Sequence, residues 1–199
     1  MSNRRRRCEP DLTYHTCSRC IDCDHMMKKD EMKDLMIKVM AMALEKYNFE
    51  LLSYVIMDNH FHFYIRTLPC SASISRIMQY IKSQFARRFN KISGRKGPFW
   101  NERFSDTIIE ETHDPDLMFN YINCYIHLNP VRAGCVNNSQ EYKYSSIKFY
   151  LEEEYIPPLR LTFHKAFLEL GNDFMERSKK FLELEEMFLK RVFPAEIFG

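Results

Sequence analysis

The stretch from Met57 to Thr67, Met-Asp-Asn-His-Phe-His-Phe-Tyr-Ile-Arg-Thr, constrains the fold more than any other part of the chain. It begins with a turn signal, Asp58-Asn59, and continues as aromatic and β-branched residues, which predicts a strand. Alternate side chains of a strand share a face, so His60 and His62 project together and the phenylalanines beside them point the other way. Two imidazoles suit several divalent metals, but two ligands do not make a site. On spacing alone, structural histidines are the commoner explanation.

The composition bounds the class of protein. The chain has 199 residues, 45% hydrophobic and 14% aromatic, enough to bury one good core and a small appendage. No apolar run approaches the ~20 residues that a membrane span needs, and no signal-peptide segment follows the N-terminal arginines. The sequence therefore predicts a soluble, cytoplasmic protein without a membrane partner.

The cysteines allow one alternative interpretation. There are seven, an odd number, and in a chain without a secretion signal they are expected to be free thiols. Cys17, Cys20 and Cys23, with His25 close behind, have a spacing that could hold zinc. No second Cys-x-x-Cys or Cys-x-x-His pair follows at the usual distance, so a zinc-stabilised nucleic-acid-binding protein is the weaker interpretation.

The basic residues are unevenly distributed around a net charge of only +2. Arg4–Arg7 form a basic run, and the segment between Arg76 and Arg103 holds a single acid, Glu102. Such a segment indicates a surface for a polyanion, although an ordinary solvated helix face gives the same pattern. Its basic residues are Arg76, Lys82, Arg87, Arg88, Lys91, Arg95, Lys96 and Arg103.

Hydrophobic periodicity predicts the order β-α-β-β-α-β-α over most of the chain. The predicted strands are 12–18, 49–57, 60–67 and 104–110, and the predicted helices are 29–47, 71–92 and 114–128. Pro130 is expected to end the third helix, because proline disfavours helical continuation. The order predicts an α+β fold, a ferredoxin-like antiparallel sheet with helices on one face. Residues 1–150 form the predicted main domain, and 151–199 a charged helical tail with helices at 161–170 and 173–192.

A second group of candidate residues lies on the third helix. Tyr121 and Tyr125 are four residues apart on one face, and Asn129 follows one turn later. A tyrosine hydroxyl near a metal-bound phosphate can act as a nucleophile and form a covalent intermediate. For any single helical tyrosine, a buried ring with a satisfied hydroxyl is the more common role.

Three separated motifs together resemble a known family. They are Met57-Asp-Asn-His-Phe-His, Phe99-Trp-Asn-Glu-Arg-Phe104 and Tyr125-Ile-His-Leu-Asn-Pro-Val-Arg-Ala-Gly134. In this order and spacing they resemble the IS200/IS605-like single-tyrosine transposases, most closely the REP-associated ones. Tyr14-His-Thr-Cys-Ser-Arg19 also resembles the family's first strand, and the match covers roughly residues 12–147.

The resemblance implies an HUH endonuclease and assigns roles to particular residues. It implies that His60 and His62 hold Mg²⁺ or Mn²⁺, that Asn129 is the third ligand, and that Tyr125 is the nucleophile. Cleavage of single-stranded DNA near a hairpin would then proceed through a 5′-phosphotyrosine, and a later 3′-hydroxyl would rejoin strands. The expected DNA-binding residues are Arg76, Arg87, Arg88, Lys91, Arg95, Lys96 and Arg103. Two departures, Asp58 for the usual proline and the Cys20/Cys23 loop, touch no implied catalytic position.

The expected partner is single-stranded DNA that forms a hairpin, an imperfect palindrome. Relatives of this kind include both dimers and monomers, so either state is compatible with the resemblance. The main alternative is a domesticated, catalytically silent protein that binds a DNA hairpin with the same fold. That alternative needs the basic surface but does not need His60, His62 or Tyr125.

Overall fold

The computed structural model describes residues 11–190, so Arg4–Arg7, Cys8 and the C-terminal end of the last predicted helix lie outside the described residues. The predicted order of elements is confirmed. The strands are β1 (Thr13–Arg19), β2 (Phe49–Ile56), β3 (His60–Thr67) and β4 (Ser105–Ile108). The helices are α1 (Asp30–Lys46), α2 (Ile74–Ser93), α3 (Pro115–Arg132), α4 (Ile147–Leu151), α5 (Lys165–Leu168) and α6 (Phe174–Leu189). Within 11–190, no helix is long and apolar enough to cross a membrane.

The sheet is antiparallel and places β3 at its centre. The strand order is β2-β3-β1-β4, and β3 is therefore hydrogen-bonded on both edges. The register sets His62 opposite Cys17 of β1 and Val55 of β2, while His60 lies opposite Arg19. Asp58 of the hairpin turn forms a 2.7 Å ion pair with the buried Lys33 of α1, which ties the turn to the first helix.

The helices pack on both faces of the sheet. The α+β class is confirmed, and α1 and α2 lie together on one face, where they bury Phe61 and Phe63. The expectation that all helices share that face is corrected by α3, which packs on the other side through Phe119, stacked on Tyr64 at 4.9 Å. Helix α3 has apolar residues around most of its circumference, and on this side of the sheet it is buried between the sheet and α6.

The third helix also runs through Pro130, which corrects the predicted end at residue 128. Proline in a helix removes one N–H donor, here the one that would bond to the carbonyl of Ile126. The loss falls in the last turn, where the backbone N–H of Ala133 still bonds to Asn129 and that of Cys135 bonds to Pro130. The helix therefore tolerates the proline near its end.

The C-terminal segment packs on the back of α3. Phe181 of α6 is fully buried in a cluster with Cys124 and Leu128 of α3, and Tyr150 of α4 stacks on Phe181 at 5.3 Å. The division into domains 1–150 and 151–199 stays a prediction, but the two segments share this hydrophobic cluster.

Candidate metal and nucleophile site

The two histidines of β3 share one face, and both lie beneath α3. Their ring centroids are 5.0 Å apart. His62 is buried, with 3% of its surface exposed, whereas His60 at the strand's beginning is partly exposed. Strand alternation alone accounts for this arrangement, because the intervening Phe61 points into the opposite core.

Each histidine has its Nδ1 in contact with a neighbouring side chain. His60 Nδ1 lies 2.7 Å from Asn59 Oδ1, and His62 Nδ1 lies 2.9 Å from His15 Nε2. Among the described residues, the buried His62 Nε2 has no partner that meets hydrogen-bond geometry. A buried polar atom without a partner is costly, and a metal ion would satisfy it. This observation fits a metal site.

Burial keeps these imidazoles neutral. It lowers the pKa of His15 to about 4 and that of His62 well below the usual value, where the neighbouring His15 and His60 add to the effect. The pKa of His60 is also lowered, chiefly by burial, while the adjacent Asn129 side chain acts in the opposite direction. Neutral imidazole is the form that binds metals.

The third predicted ligand is close to both histidines. The Asn129 side chain lies beside the two imidazoles, and its Nδ2 donates to the Tyr125 carbonyl at 2.9 Å. That bond leaves the amide oxygen as the group available to a cation. Within residues 11–190, no cluster of three or more His, Cys, Asp or Glu side chains could hold a metal. A site here therefore needs the Asn129 oxygen, and two nitrogens with one oxygen suit Mn²⁺ and are compatible with Mg²⁺.

The cysteines proposed as an alternative zinc site do not converge. Cys20 is fully buried, and burial raises its pKa to about 12, whereas Cys23 is exposed. Zinc requires thiolates that converge. The described cysteines are free thiols, as expected.

The two candidate tyrosines have different surroundings. The Tyr125 ring meets the His62 ring edge-on at 5.4 Å and the His15 ring at 5.7 Å, and it is partly exposed. Tyr121 is buried and packs on Phe188 of α6 at 4.6 Å. Burial raises the pKa of Tyr121, which disfavours its phenolate. Of the two, only Tyr125 contacts the histidine rings.

The predicted DNA-binding residues separate into groups. Arg76 and Arg103 line a groove of about 860 Å³ between α2 and the segment 98–104, together with Lys82 and Trp100. Exposed positions elsewhere hold Arg87, Lys91 and Lys96. Arg88 instead points towards α1, where its guanidinium contacts the Met42 sulfur, and Arg95 bonds to the Pro98 carbonyl.

The groove and the histidines are linked through β1. The backbone N–H of Asn101 donates to the Arg19 carbonyl at 3.0 Å, and Arg19 is the residue opposite His60. Trp100 forms an isolated bridge with Cys20. One wall of the groove is therefore fixed to the strand end beside His60.

Sequence reasoning missed His15 and Arg132. His15 is in contact with His62, and the Arg132 guanidinium lies 5.3 Å from the centre of the Tyr125 ring. The alternation of β1 places His15 and Cys17 on one face, but only the register with β3 brings that face to His62. Arg132 lies seven residues, about two helical turns, after Tyr125, so helical spacing alone could have indicated it.

Comparisons with known proteins agree on one family. The family model described as "Transposase IS200 like" matches residues 8–124, more than half of the chain, and ends one residue before Tyr125. A Haemophilus influenzae protein described as a REP-associated tyrosine transposase is 26% identical over 122 residues, 57% of this chain and 67% of that protein. The structure of a REP-associated tyrosine transposase bound to a REP hairpin matches with a TM-score of 0.61 and 22% identity, over 83% of this chain and 96% of that one.

Proposed function

Because the chain belongs to the IS200-like transposase family, we propose that it is a metal-dependent endonuclease and strand transferase acting on single-stranded DNA. The observation that carries the proposal is the placement of Tyr125, whose ring lies against the His62 and His15 rings on the sheet face covered by α3. A nucleophile and candidate metal ligands within one contact shell are what a phosphoryl transfer to tyrosine requires.

The groups proposed to hold Mg²⁺ or Mn²⁺ are His60 Nε2, His62 Nε2 and the Asn129 amide oxygen. Such an ion would polarise a phosphoryl oxygen and offset the charge of the transition state. The neutral state of both imidazoles and the unpartnered His62 Nε2 support this assignment. The Asn129 bond to the Tyr125 carbonyl joins the third ligand to the backbone of the nucleophile.

The role proposed for Tyr125 is attack on the scissile phosphate. Its hydroxyl oxygen gives up its proton to solvent and forms a bond to phosphorus, the bond to the 3′ oxygen breaks, and the departing 3′ oxygen takes up a proton from solvent. The product is a 5′-phosphotyrosine and a free 3′-hydroxyl. Attack by another 3′-hydroxyl on the phosphotyrosine rejoins strands and releases the tyrosine. The phosphodiester energy stays in the covalent link, so no nucleotide triphosphate is needed.

The substrate that we propose is single-stranded DNA carrying a hairpin. The matching structure is of a transposase bound to a REP hairpin, and it shares its fold with this chain. In this chain, Arg76, Arg103 and Lys82 give the groove beside α2 a positive wall for phosphates. One wall of this groove, the segment 98–104, is hydrogen-bonded to Arg19, the residue opposite His60, and this connection supports a DNA path from the groove to the proposed metal.

A catalytically silent hairpin-binding protein is the competing function. It would need the groove but would have no use for an unpartnered, buried His62 Nε2 beside a partly exposed tyrosine. That atom favours the enzyme.

The test is covalent trapping. Labelled hairpin oligonucleotides from the flanks of the gene are incubated with protein and Mn²⁺ and separated on a denaturing gel. We expect a protein–DNA adduct with the wild type and with Tyr121→Phe, and none with Tyr125→Phe or with chelator. Replacement by Phe keeps the aromatic ring and removes only the hydroxyl, so the two variants report on the hydroxyl and not on packing. Hairpin binding without an adduct under any divalent metal would favour the silent protein.

A further inference from the structure

We propose that Asn59 and His15 are positioning residues that fix the tautomers of His60 and His62, so that both imidazoles present an unprotonated Nε2 on the same face. The inference rests on the proposed function, because it concerns the two nitrogens assigned to the metal. It assigns a role to the turn before β3 and to β1, which act through the two imidazoles.

The orientation of Asn59 is determined by its two side-chain bonds. Its Nδ2 donates to the Cys23 carbonyl at 3.1 Å, so its Oδ1 faces His60 Nδ1 at 2.7 Å. An amide oxygen only accepts, and His60 Nδ1 must therefore carry the proton. The Cys23 residue that anchors the amide has a left-handed backbone, with φ of 58°, and the Asn59 carbonyl also accepts from the Cys20 N–H at 2.8 Å. The cysteine-containing loop thus holds Asn59 from both sides.

The His15 contact has two possible directions, and only one is consistent with the surroundings. If His15 Nε2 donated, neutral His62 would carry its own proton on Nε2. That atom is buried, and although the Asn129 side chain lies beside it, no described residue meets hydrogen-bond geometry with it, so this arrangement would bury an unsatisfied donor. If His62 Nδ1 donates to His15 Nε2 instead, His62 Nε2 has a lone pair directed towards the other candidate ligands. The planes of the two rings are within 16° of each other and their centroids are 5.0 Å apart, which is the near-coplanar geometry of an N–H···N bond between two imidazoles.

The two positioning residues differ in how strictly they act. Asn59 Oδ1 can only accept, so the tautomer of His60 is fixed by chemistry. His15 Nε2 could act as donor or acceptor. The tautomer of His62 therefore depends on the free energy of burying an unsatisfied Nε2–H, which the Nδ1–H tautomer avoids. Partners of this kind typically change metal affinity 10–100-fold when they are removed.

The direct test reads tautomers in the metal-free wild type. Long-range ¹H–¹⁵N spectra distinguish Nδ1–H from Nε2–H imidazoles, and His60→Ala and His62→Ala assign the two signals. We expect the Nδ1–H form for both residues, and a shift of the His62 signal towards Nε2–H in His15→Phe. A wild-type His62 that carries its proton on Nε2 would overturn the inference, whatever the protein's activity.

The second test compares Mn²⁺ affinity in a matched pair at position 15. His15→Phe keeps a ring but has no acceptor, whereas His15→Gln places an amide oxygen near the position of Nε2. We expect about a 10–100-fold loss for His15→Phe and recovery to within a few-fold in His15→Gln. Asn59→Leu should show a comparable loss.

The reference for this comparison is His62→Ala. If His62→Ala binds Mn²⁺ like the wild type, the proposed metal site itself is wrong. If His62→Ala loses binding while folded His15→Phe and Asn59→Leu retain it, the positioning roles alone are wrong. Thermal unfolding shows whether each variant is folded. If a variant is unfolded, the ¹H–¹⁵N spectra of the wild type still test the inference.

Discussion

The two faces of β3 are built from alternating residues of one strand, yet they are opposite in character. Phe61 and Phe63 on the α1–α2 face are fully buried and stack on each other at 4.2 Å. His60, His62 and Tyr64 on the α3 face include two buried polar atoms without described partners, His62 Nε2 and the Tyr64 hydroxyl. The first face is packed as a core that stabilises the fold. On the second face these buried polar atoms lack hydrogen-bond partners, as is expected where a bound ligand would supply them.

The largest expected difference between the two faces is in their effect on DNA cleavage. Replacing His60 or His62 with Ala should abolish adduct formation while hairpin binding stays nearly unchanged, since phosphate contacts dominate affinity. His60 lies at the strand end and is partly exposed, so its loss should change the free energy of unfolding by less than about 1 kcal/mol. Cleavage at the wild-type rate by His62→Ala in excess Mg²⁺ would place the site elsewhere.

The other face should show the reverse behaviour. Phe63→Ala removes a fully buried ring and leaves a cavity, so it should lower the free energy of unfolding by about 3–5 kcal/mol. Below the melting temperature, the folded fraction should still form the adduct. Chemical denaturation and gel trapping on one preparation measure both properties. A variant that remains stable but cannot cleave would mean that the faces are not separable.

The α3 side should also be the side whose stability depends on a buried carboxyl. Burial raises the pKa of Glu185 on α6 to about 7, and its Oε2 accepts from Ser139 at 2.8 Å. The folded state therefore binds the proton more tightly than the unfolded chain, and stability falls as the pH rises from about 4.5 to about 7.

Glu185→Gln removes that titration. The variant should exceed the wild type in stability by about 1–3 kcal/mol at pH 8, with the difference vanishing below about pH 4. Urea denaturation at the two pH values measures it. A constant difference at both pH values would show that Glu185 titrates normally.

The smallest expected effects concern the groove. Charge removal at Arg76 and Arg103 should reduce the salt dependence of hairpin binding by about 0.7 slope units per lost contact. The matched control is Arg88, which faces Met42 of α1 and should leave the slope unchanged when replaced by Met. Equal slopes for wild type and the Arg76/Arg103 double variant would make this groove an ordinary solvated surface.

Most of the fold followed from local pattern. The order of strands and helices was confirmed, because period-two and helical apolar patterns are properties of single segments. The side of the sheet on which α3 packs was predicted wrongly, since α3 is apolar on most of its surface and its pattern gives no direction. Its continuation through Pro130 depended on the bonds that close its last turn.

Part of the candidate site could also be predicted from local pattern. Alternation brought His60 and His62 together, and the resemblance supplied Asn129 and Tyr125. His15 was missed because its partner is 47 residues away in sequence, and cross-strand register is not readable from one strand. Charge count could not show that Arg88 faces α1 while Arg76 lines the groove.

The central claim is that the α3 face of the sheet carries out nicking through Tyr125, and locating the covalent link tests it most directly. The adduct formed with hairpin DNA and Mn²⁺ is digested with nuclease and trypsin and analysed by mass spectrometry. The tryptic peptide 104–132 contains both Tyr121 and Tyr125, so fragmentation must assign the nucleotide mass to one of them. We predict that it lies on Tyr125 and is absent when metal is removed. A nucleotide on Tyr121, or an adduct that forms equally well in chelator, would contradict the account.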